Sequence, residues 1–399
     1  MRKIGFMAIT VMALSLAVPL TSFAATDSSL VQGDVSNELE QIRLEAINDV
    51  LTLNGNTEIS AGDLSQTSIE LTNDLKSDSV KDNVINEVES LKNIEIVKVV
   101  ADAEGKISEA ISSVEGNVED RLKYVTETSV ESTSVATSMS ATKLPTLFTL
   151  SKQFSSKRAV TPFVLLTNSN NPAGYETGAF NRQTTPANTS AYTGTFATSV
   201  MLPSYDAATA QGDGESALMY TGIGSYVEAG FHSYSGTQGK GWFPYFRVEQ
   251  GHTDNTGDGH TNSTRGYYYD FGHPQTAGQV ISSYKVYYKT SESVLRIRFL
   301  VGGTTFYDIT VTGQPTTNVR VKRVVSIAIN NSPTSTTKFK TPFTSYAKWF
   351  DFKFLKNDGT VAVFPSEVTG LSNETWSHGG SIDYIKSGSN PVSESYKIY

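Results

Sequence analysis

Tyr245, Arg247, His252 and His260 fall within one short span that also holds Arg265 and the run Tyr267-Tyr268-Tyr269. Together these residue types can perform β-elimination on an acidic sugar. An arginine fork neutralises a uronate carboxylate, a histidine takes the proton from the adjacent carbon, and a tyrosine returns a proton to the leaving oxygen. Arg296 and Arg298 lie on a later strand and are candidates for the same carboxylate. Tyr245, Arg247 and Glu249 share one strand face, as do Lys285, Tyr287 and Lys289, so the two rows would form a basic, aromatic groove if they lined one sheet. The Arg-Thr-Glu-Leu and Gln-Ile-His strands of jelly-roll lyases are absent, so the same residues also read as a solvated outer face.

Other chemistries find less to work with. Retaining glycoside hydrolysis needs two carboxylates across the scissile bond, and here only Glu228 and Glu249 offer themselves, without a Glu-x-Asp-x-x-Glu strand. The polar loop Gln250 to His260 carries Asp254 and Asp258 between its histidines, a spacing at which oxygen ligands can hold Ca²⁺, although Asp, Asn and Gly are also ordinary turn residues. Gln211 to Glu215 is a second such loop. No cofactor is otherwise implied, since there is no phosphate-binding loop, nucleophile elbow or dinucleotide fingerprint. With no cysteine, thiolate chemistry and disulfides are excluded. Trp242 and Trp376 stand near glycine-rich loops, where an exposed indole stacks on a sugar ring, while Trp349 sits in a Phe-rich strand and reads as packing.

The elements that must position these groups begin after an export signal. Arg2 and Lys3 precede an apolar run from Ile4 to Leu20, and small residues follow at Ser22 to Ala25, so residues 1–25 read as a cleaved signal peptide with no stable membrane span thereafter. Charge divides the rest. Residues 26–158 hold 23 acidic against 12 basic side chains, whereas 159–399 hold 17 against 18 and all three Trp. The net charge of −8 opposes a general nucleic-acid role. The shift predicts an acidic helical or α+β region at 26–131, a Ser/Thr-rich linker at 132–159 and a β domain at 160–399.

In the acidic region, Val35, Leu39, Ile42, Ala46 and Val50 repeat at helical spacing, and a second helix is expected from Ser79 to Leu91, with Ser79 and Asp82 as a capping pair. Ile94 to Val100 reads as a strand turned at Glu104-Gly105, with Leu122 to Val130 as its pairing partner. Farther on, strands are expected at Ala191–Leu202, Ala217–Thr221, Tyr226–His232, Trp242–Val248, Tyr267–Phe271, Ser282–Tyr288 and Arg320–Ile329. Leu295, Ile297, Phe299 and Val301 oppose Arg296 and Arg298, and Gly302-Gly303 would turn that strand into Phe306 to Val311. A second hairpin would place Tyr346, Lys348, Phe350, Phe352 and Phe354 on one face and turn at Asn357-Asp358-Gly359. Many short strands with polar turns predict a mainly β protein, an antiparallel two-sheet sandwich.

The strand carrying Glu228-Ala229-Gly230, the aromatic strand Trp242-Phe243-Pro244-Tyr245-Phe246 and the Val294 to Val311 hairpin resemble concanavalin-A-like jelly rolls over about residues 160–399. More narrowly, the region is similar to the YrpD family of secreted bacterial proteins. That resemblance implies a jelly-roll sandwich and an extracellular or cell-surface location, and it carries over no catalytic residue. The expected function is non-catalytic binding of a polysaccharide or cell-wall glycan through Trp242, Tyr245, Arg247, Tyr287, Arg296, Arg298 and Trp376. The alternative is a polysaccharide lyase acting through Tyr245, Arg247, His252 and His260.

Overall fold

The computed structural model describes residues 28–53, 78–102, 106–114, 116, 118–126, 164–166, 178–186, 192–224, 227–248, 266–291, 294–301, 305–312, 320–329, 338–356, 362–378, 380–388 and 392–399. The chain opens with helices α1 (Ser28–Leu53) and α2 (Asp78–Asn93), then strands β1 (Glu95–Ala101) and β2 (Ile107–Ser112), a short helix α3 (Val118–Arg121) and β3 (Leu122–Thr126). There follow β4 (Val164–Leu166), β5 (Gly178–Thr184), β6 (Tyr192–Met201), the short helix α4 (Ala207–Gly212), β7 (Glu215–Ile223), β8 (Val227–Gly236), β9 (Gly239–Val248) and β10 (Gly266–Asp270). The remainder is β11 (Val280–Ser291), β12 (Val294–Val301), β13 (Thr305–Thr312), β14 (Val321–Ile329), β15 (Ala347–Phe350), β16 (Lys353–Lys356), β17 (Ala362–Val363), β18 (Ser372–Ser377), β19 (Ile382–Ser387) and β20 (Ser393–Ile398).

These strands form two sheets. The first runs β2-β1-β13-β12-β11-β6-β15-β20-β19-β4, with β16 and β17 branching from β6; the second runs β18-β5-β14-β7-β8-β9-β10-β3. Alternation along each strand decides which residues meet between them. Tyr284, Val286 and Tyr288 of β11, with Ile297 and Phe299 of β12, project from the first sheet onto Met219, Phe231, Phe246 and Val325 of the second, and all are buried in one core. The protein is therefore mainly β, with two sheets packed as a sandwich.

A buried ion pair crosses this core. Arg323 of β14 donates to Glu394 of β20 at 2.6 Å and to the Tyr396 hydroxyl at 2.8 Å, and its guanidinium lies 4.3 Å from the Phe352 ring centre. Burial pushes the Glu394 carboxyl up, but Arg323 and the Tyr384 hydroxyl outweigh it and hold the group below its ordinary range.

The acidic segment joins both sheets. β1 pairs in parallel with β13, from Glu95 opposite Thr305 to Ala101 opposite Val311, and antiparallel with β2. β3 pairs with β10 rather than with β1, which corrects the expected partner of the Leu122 segment. The register explains this, because β13 takes one edge of β1 and β2 the other. Helices α1 and α2 cover the outer face of the first sheet: Leu39, Ile42, Ile47, Val84 and Val88 bury Leu300 and Phe306. The signal segment and the 132–159 linker lie outside the described residues, as do both glycine hairpin turns and the side chains of the proposed Ser79–Asp82 cap. Among the described residues, no helix is long and apolar enough to cross a membrane.

The Phe-rich run departs from one continuous strand. β15 ends at Phe350, and Asp351 adopts φ 48°, a left-handed conformation rare outside glycine. Its carboxylate accepts a bond from the Val392 amide at 2.7 Å, which holds the turn in place. This shifts the alternation by one residue, so that Trp349, Phe352 and Phe354 face the core and Phe350 does not. The packing role expected of Trp349 stands.

Removing the Phe306 ring tests the helical layer. Phe306→Ala is expected to destabilise the protein by about 3–5 kcal/mol in urea titrations, whereas Val280→Ala, at a residue 56% exposed, changes stability by less than about 0.5 kcal/mol.

Candidate functional site

On the second sheet, the face turned away from the core carries its own side-chain layer. Leu218 and Tyr220 of β7, Phe243 and Tyr245 of β9, Tyr267 and Tyr269 of β10, Phe180 of β5 and Trp376 of β18 form one buried cluster. They alternate with core residues because each strand presents successive side chains to opposite faces.

Strand register draws the polar groups into rows across this layer. Glu228 of β8 stands opposite Arg247 of β9, and Gly222 of β7 lies between Glu228 and Lys322 of β14. The missing side chain at Gly222 is what lets the lysine through: a Cβ there would come within 2.6 Å of the lysine Cε. Lys322 Nζ thus reaches Glu228 across the intervening strand, at 2.8 Å. In the next row Gly230 faces Tyr245 and Tyr220, and a Cβ on it would meet the Tyr220 Cβ at 2.6 Å. Two glycines therefore make the floor over which Lys322 and Tyr220 lie.

His232 of β8 completes the cluster. Its ring centre lies 4.5 Å from that of Tyr267, 5.3 Å from Tyr269 and 5.5 Å from Tyr245. Its Nδ1 and the Tyr269 hydroxyl share a hydrogen bond of 2.6 Å, while Nε2 is buried without a hydrogen-bond partner among the described residues. Arg247 lies over the Tyr267 ring at 4.9 Å and donates to its hydroxyl at 3.3 Å.

The electrostatics follow from burial and neighbouring charge. Burial, with Arg247 nearby, pushes His232 down to about 3, so its imidazole is neutral near pH 7. Glu228 is driven up by burial, but Lys322 and Arg247 reverse this and keep it ionised. Burial and the Glu228 charge hold the Tyr245 phenol well above its ordinary range, and it donates to Glu228 at 3.5 Å. The arrangement thus supplies two cations, one ionised carboxylate, a neutral imidazole and the protonated Tyr245 phenol. The cations are suited to a carboxylate, whereas the shifts of His232 and Tyr245 take both away from proton exchange near neutrality. His232 and Arg247 are only 2% and 6% exposed in this conformation. The layer meets solvent at its β5/β18 edge, where Arg182 lies 5.1 Å over the Trp376 indole and pairs with Glu374 at 2.6 Å.

The candidates from sequence are distributed unevenly. Tyr245 and Arg247 belong to this cluster, and Trp376 lies in the same layer, stacked on Phe180 at 4.8 Å. Trp242 points the other way into the core, and its Nε1 donates to the Pro203 carbonyl at 3.0 Å, so it offers no indole to a sugar. Arg296 and Arg298 belong to the other sheet and do not approach Arg247. They lie under α1, where each pairs with Glu45 and Asp308. Lys285 and Tyr287 are likewise on β11 of the first sheet, so the single groove expected from the two basic rows does not form; Tyr287 is placed by its backbone alone, opposite Arg298.

His252, His260, Asp254 and Asp258 lie outside the described residues, as do Glu249 and Arg265. In the second polar loop, Asp213 pairs with Lys340 at 2.6 Å and Glu215 accepts the backbone amides of Lys340 and Thr341. Among the described residues no three acidic or histidine side chains gather as a metal would require.

Sequence reasoning did not single out His232 or Lys322. The usable signal was parity. Glu228, Gly230 and His232 alternate with Ala229 and Phe231, and the glycine among them marks a place where a neighbouring strand's side chain crosses. No protein-family model matches the chain, and no curated protein matches it.

Titrating the buried imidazole tests this electrostatic picture. The fold holds His232 neutral, whereas the unfolded chain protonates it below about pH 6.5, so this group makes stability fall as pH drops from about 6.5 towards 3. His232→Phe is expected to flatten that part of the profile in melting experiments between pH 4 and pH 7; an unchanged slope would refute the assignment.

Proposed function

We propose that this is an exported protein that binds an acidic polysaccharide or cell-wall glycan, without turnover, on the outer face of the second sheet. The observation that carries the reading is the row Lys322–Glu228–Arg247 set among Tyr220, Tyr245 and Tyr267. Tyrosine rings bury the apolar faces of sugars, and guanidinium groups recognise carboxylates in bidentate fashion. Arg182, partly exposed at the β5/β18 edge, forms the point of first contact; Trp376 beneath it is 1% exposed and, contrary to the expectation from sequence, presents no open indole. The resemblance to jelly-roll lectins and to YrpD-family proteins supports the same class, and the signal-like residues 1–25 support an extracellular or cell-surface location. Calcium, if needed, would be held by Asp254 and Asp258.

A second reading, a polysaccharide lyase, is favoured by one feature. His232 is a neutral imidazole against Tyr267, and that tyrosine also receives Arg247. Base, acid and carboxylate-neutralising cation thus adjoin. Binding alone is the better supported of the two, because burial holds His232 down to about 3, which makes its imidazole a weak base for proton abstraction near neutrality.

Titration of the secreted, signal-cleaved chain with alginate, pectate and glucuronan oligosaccharides by calorimetry, with and without Ca²⁺, tests both. Saturable binding that weakens at least tenfold in Arg182→Ala and Arg247→Met, in variants that melt as the parent does, is the expected result. Absence of binding to all three overturns the proposal. New ultraviolet absorbance from an unsaturated uronate, lost in His232→Phe, would replace it with the lyase reading.

A further inference from the structure

We propose that His273 is a proton-controlled clasp that locks β1, and with it the helical layer, onto the sandwich. The imidazole lies just beyond β10 and bridges a carboxylate from each sheet. Its Nδ1 is 3.0 Å from Asp270 Oδ2, at the end of β10 in the second sheet, and its Nε2 is 3.3 Å from Glu95 Oε2, at the start of β1 in the first. Arg121 of α3 spans the same two carboxylates, in close contact with Glu95 and 3.7 Å from Asp270. Tyr307 of β13 donates to Asp270 at 2.7 Å, and Ser112 of β2 donates to Glu95. The charged and titratable groups facing the imidazole are therefore Asp270, Glu95, Arg121 and Tyr307.

An imidazole can donate from both nitrogens only as the cation. With the proton on, two cations face two carboxylates and every bond runs from donor to acceptor. With it off, one nitrogen turns a lone pair towards a carboxylate, and the cluster is left with a net negative charge. The strand at risk is β1, because its first residue, Glu95, is one of the two carboxylates that the imidazole bridges. β1 and β13 form the only parallel pair among the described ladders, and β1 sits near the sheet edge with only the short β2 beyond it. Besides its two ladders, the helices above it and Val97 and Val99 in the core, Lys98 ties β1 to Glu38 and Glu109 through half-exposed pairs.

The direction of the pH dependence follows. Burial lowers the affinity of His273 for its proton, but Asp270 and Glu95 outweigh that and raise it to about 9, whereas the released side chain returns to about 6.5. The clasp is complete below about pH 6.5 and is lost progressively as pH rises towards 9. At the acid end Glu95, held down to about 2 by His273, Arg121 and Ser112 against burial, keeps its charge.

Hydrogen exchange on the full mature chain reads the device directly, with β7 amides as the internal reference. After correction for intrinsic rate, protection of β1 amides relative to β7 is expected to fall at least tenfold between pH 6.5 and pH 9. In His273→Gln, which offers one donor and one acceptor at every pH, protection should start low and stay flat. Imidazole resonances of His273 titrating near 9 complete the expected result. A parent protein whose β1 protection is independent of pH, or a His273 that titrates near 6.5, overturns the proposal, and an unfolded glutamine variant leaves both parent measurements to decide.

Discussion

Arg323 sits inside the layer between the two sheets, and the groups that meet its charge all come from the opposite sheet. A buried guanidinium without a partner would cost several kcal/mol, so β14 cannot take its place in the second sheet unless β20 brings Glu394 and Tyr396 to it from the first. The surrounding rings of Phe352, Trp349 and Tyr396 exclude water and leave no alternative partner. Apolar contacts would tolerate sliding one sheet over the other by a residue; this pair does not. It registers against one another the two inward faces that side-chain alternation selects.

The two outer faces meet the same problem in different ways. On the first sheet, Leu300 and Phe306 leave apolar surface that α1 and α2 cover, and Glu45 reaches down to Arg296 and Arg298, which also pair with Asp308, beneath the helix. On the second, among the described residues, the strands supply their own cover, since Tyr220, Tyr245, Tyr267 and Tyr269 lie over one another and over glycine positions. The polar groups caught in that layer are paired, with His232 Nε2 and Ser326 Oγ as exceptions among the described residues. A layer that is aromatic, charged and incompletely satisfied is where ligand chemistry has the most to gain, because burying polar groups without partners is otherwise penalised.

Much of the fold was legible from alternation. β6 to β14 fall close to their expected positions because each pairs an apolar core face with a distinguishable outer face. β5, β18 and β20 escaped notice because polar residues occupy inward positions, where Asn181 bonds Thr375 and Glu394 bonds Arg323. The Phe-rich run was misjudged at Asp351, since a single left-handed residue changes the phase of a strand without changing its composition. The candidate site was half legible. Parity correctly put Tyr245 and Arg247 on one face, and it put Arg296 and Arg298 on one face as well. What parity does not encode is which sheet a strand joins or what covers it. Hence the two arginines under α1 looked like ligand groups, while His232, whose importance lies in its cross-strand neighbours, did not.

A double-mutant cycle on Arg323 and Glu394 tests the account at its base. Urea stabilities are measured for the parent, Arg323→Met, Glu394→Gln and the double variant. The account predicts that each single change destabilises by about 3–5 kcal/mol and that the double variant loses much less than their sum, because the groups satisfy one another. Additive losses, or single losses below about 1 kcal/mol, would show that the two sheets are not registered by this pair.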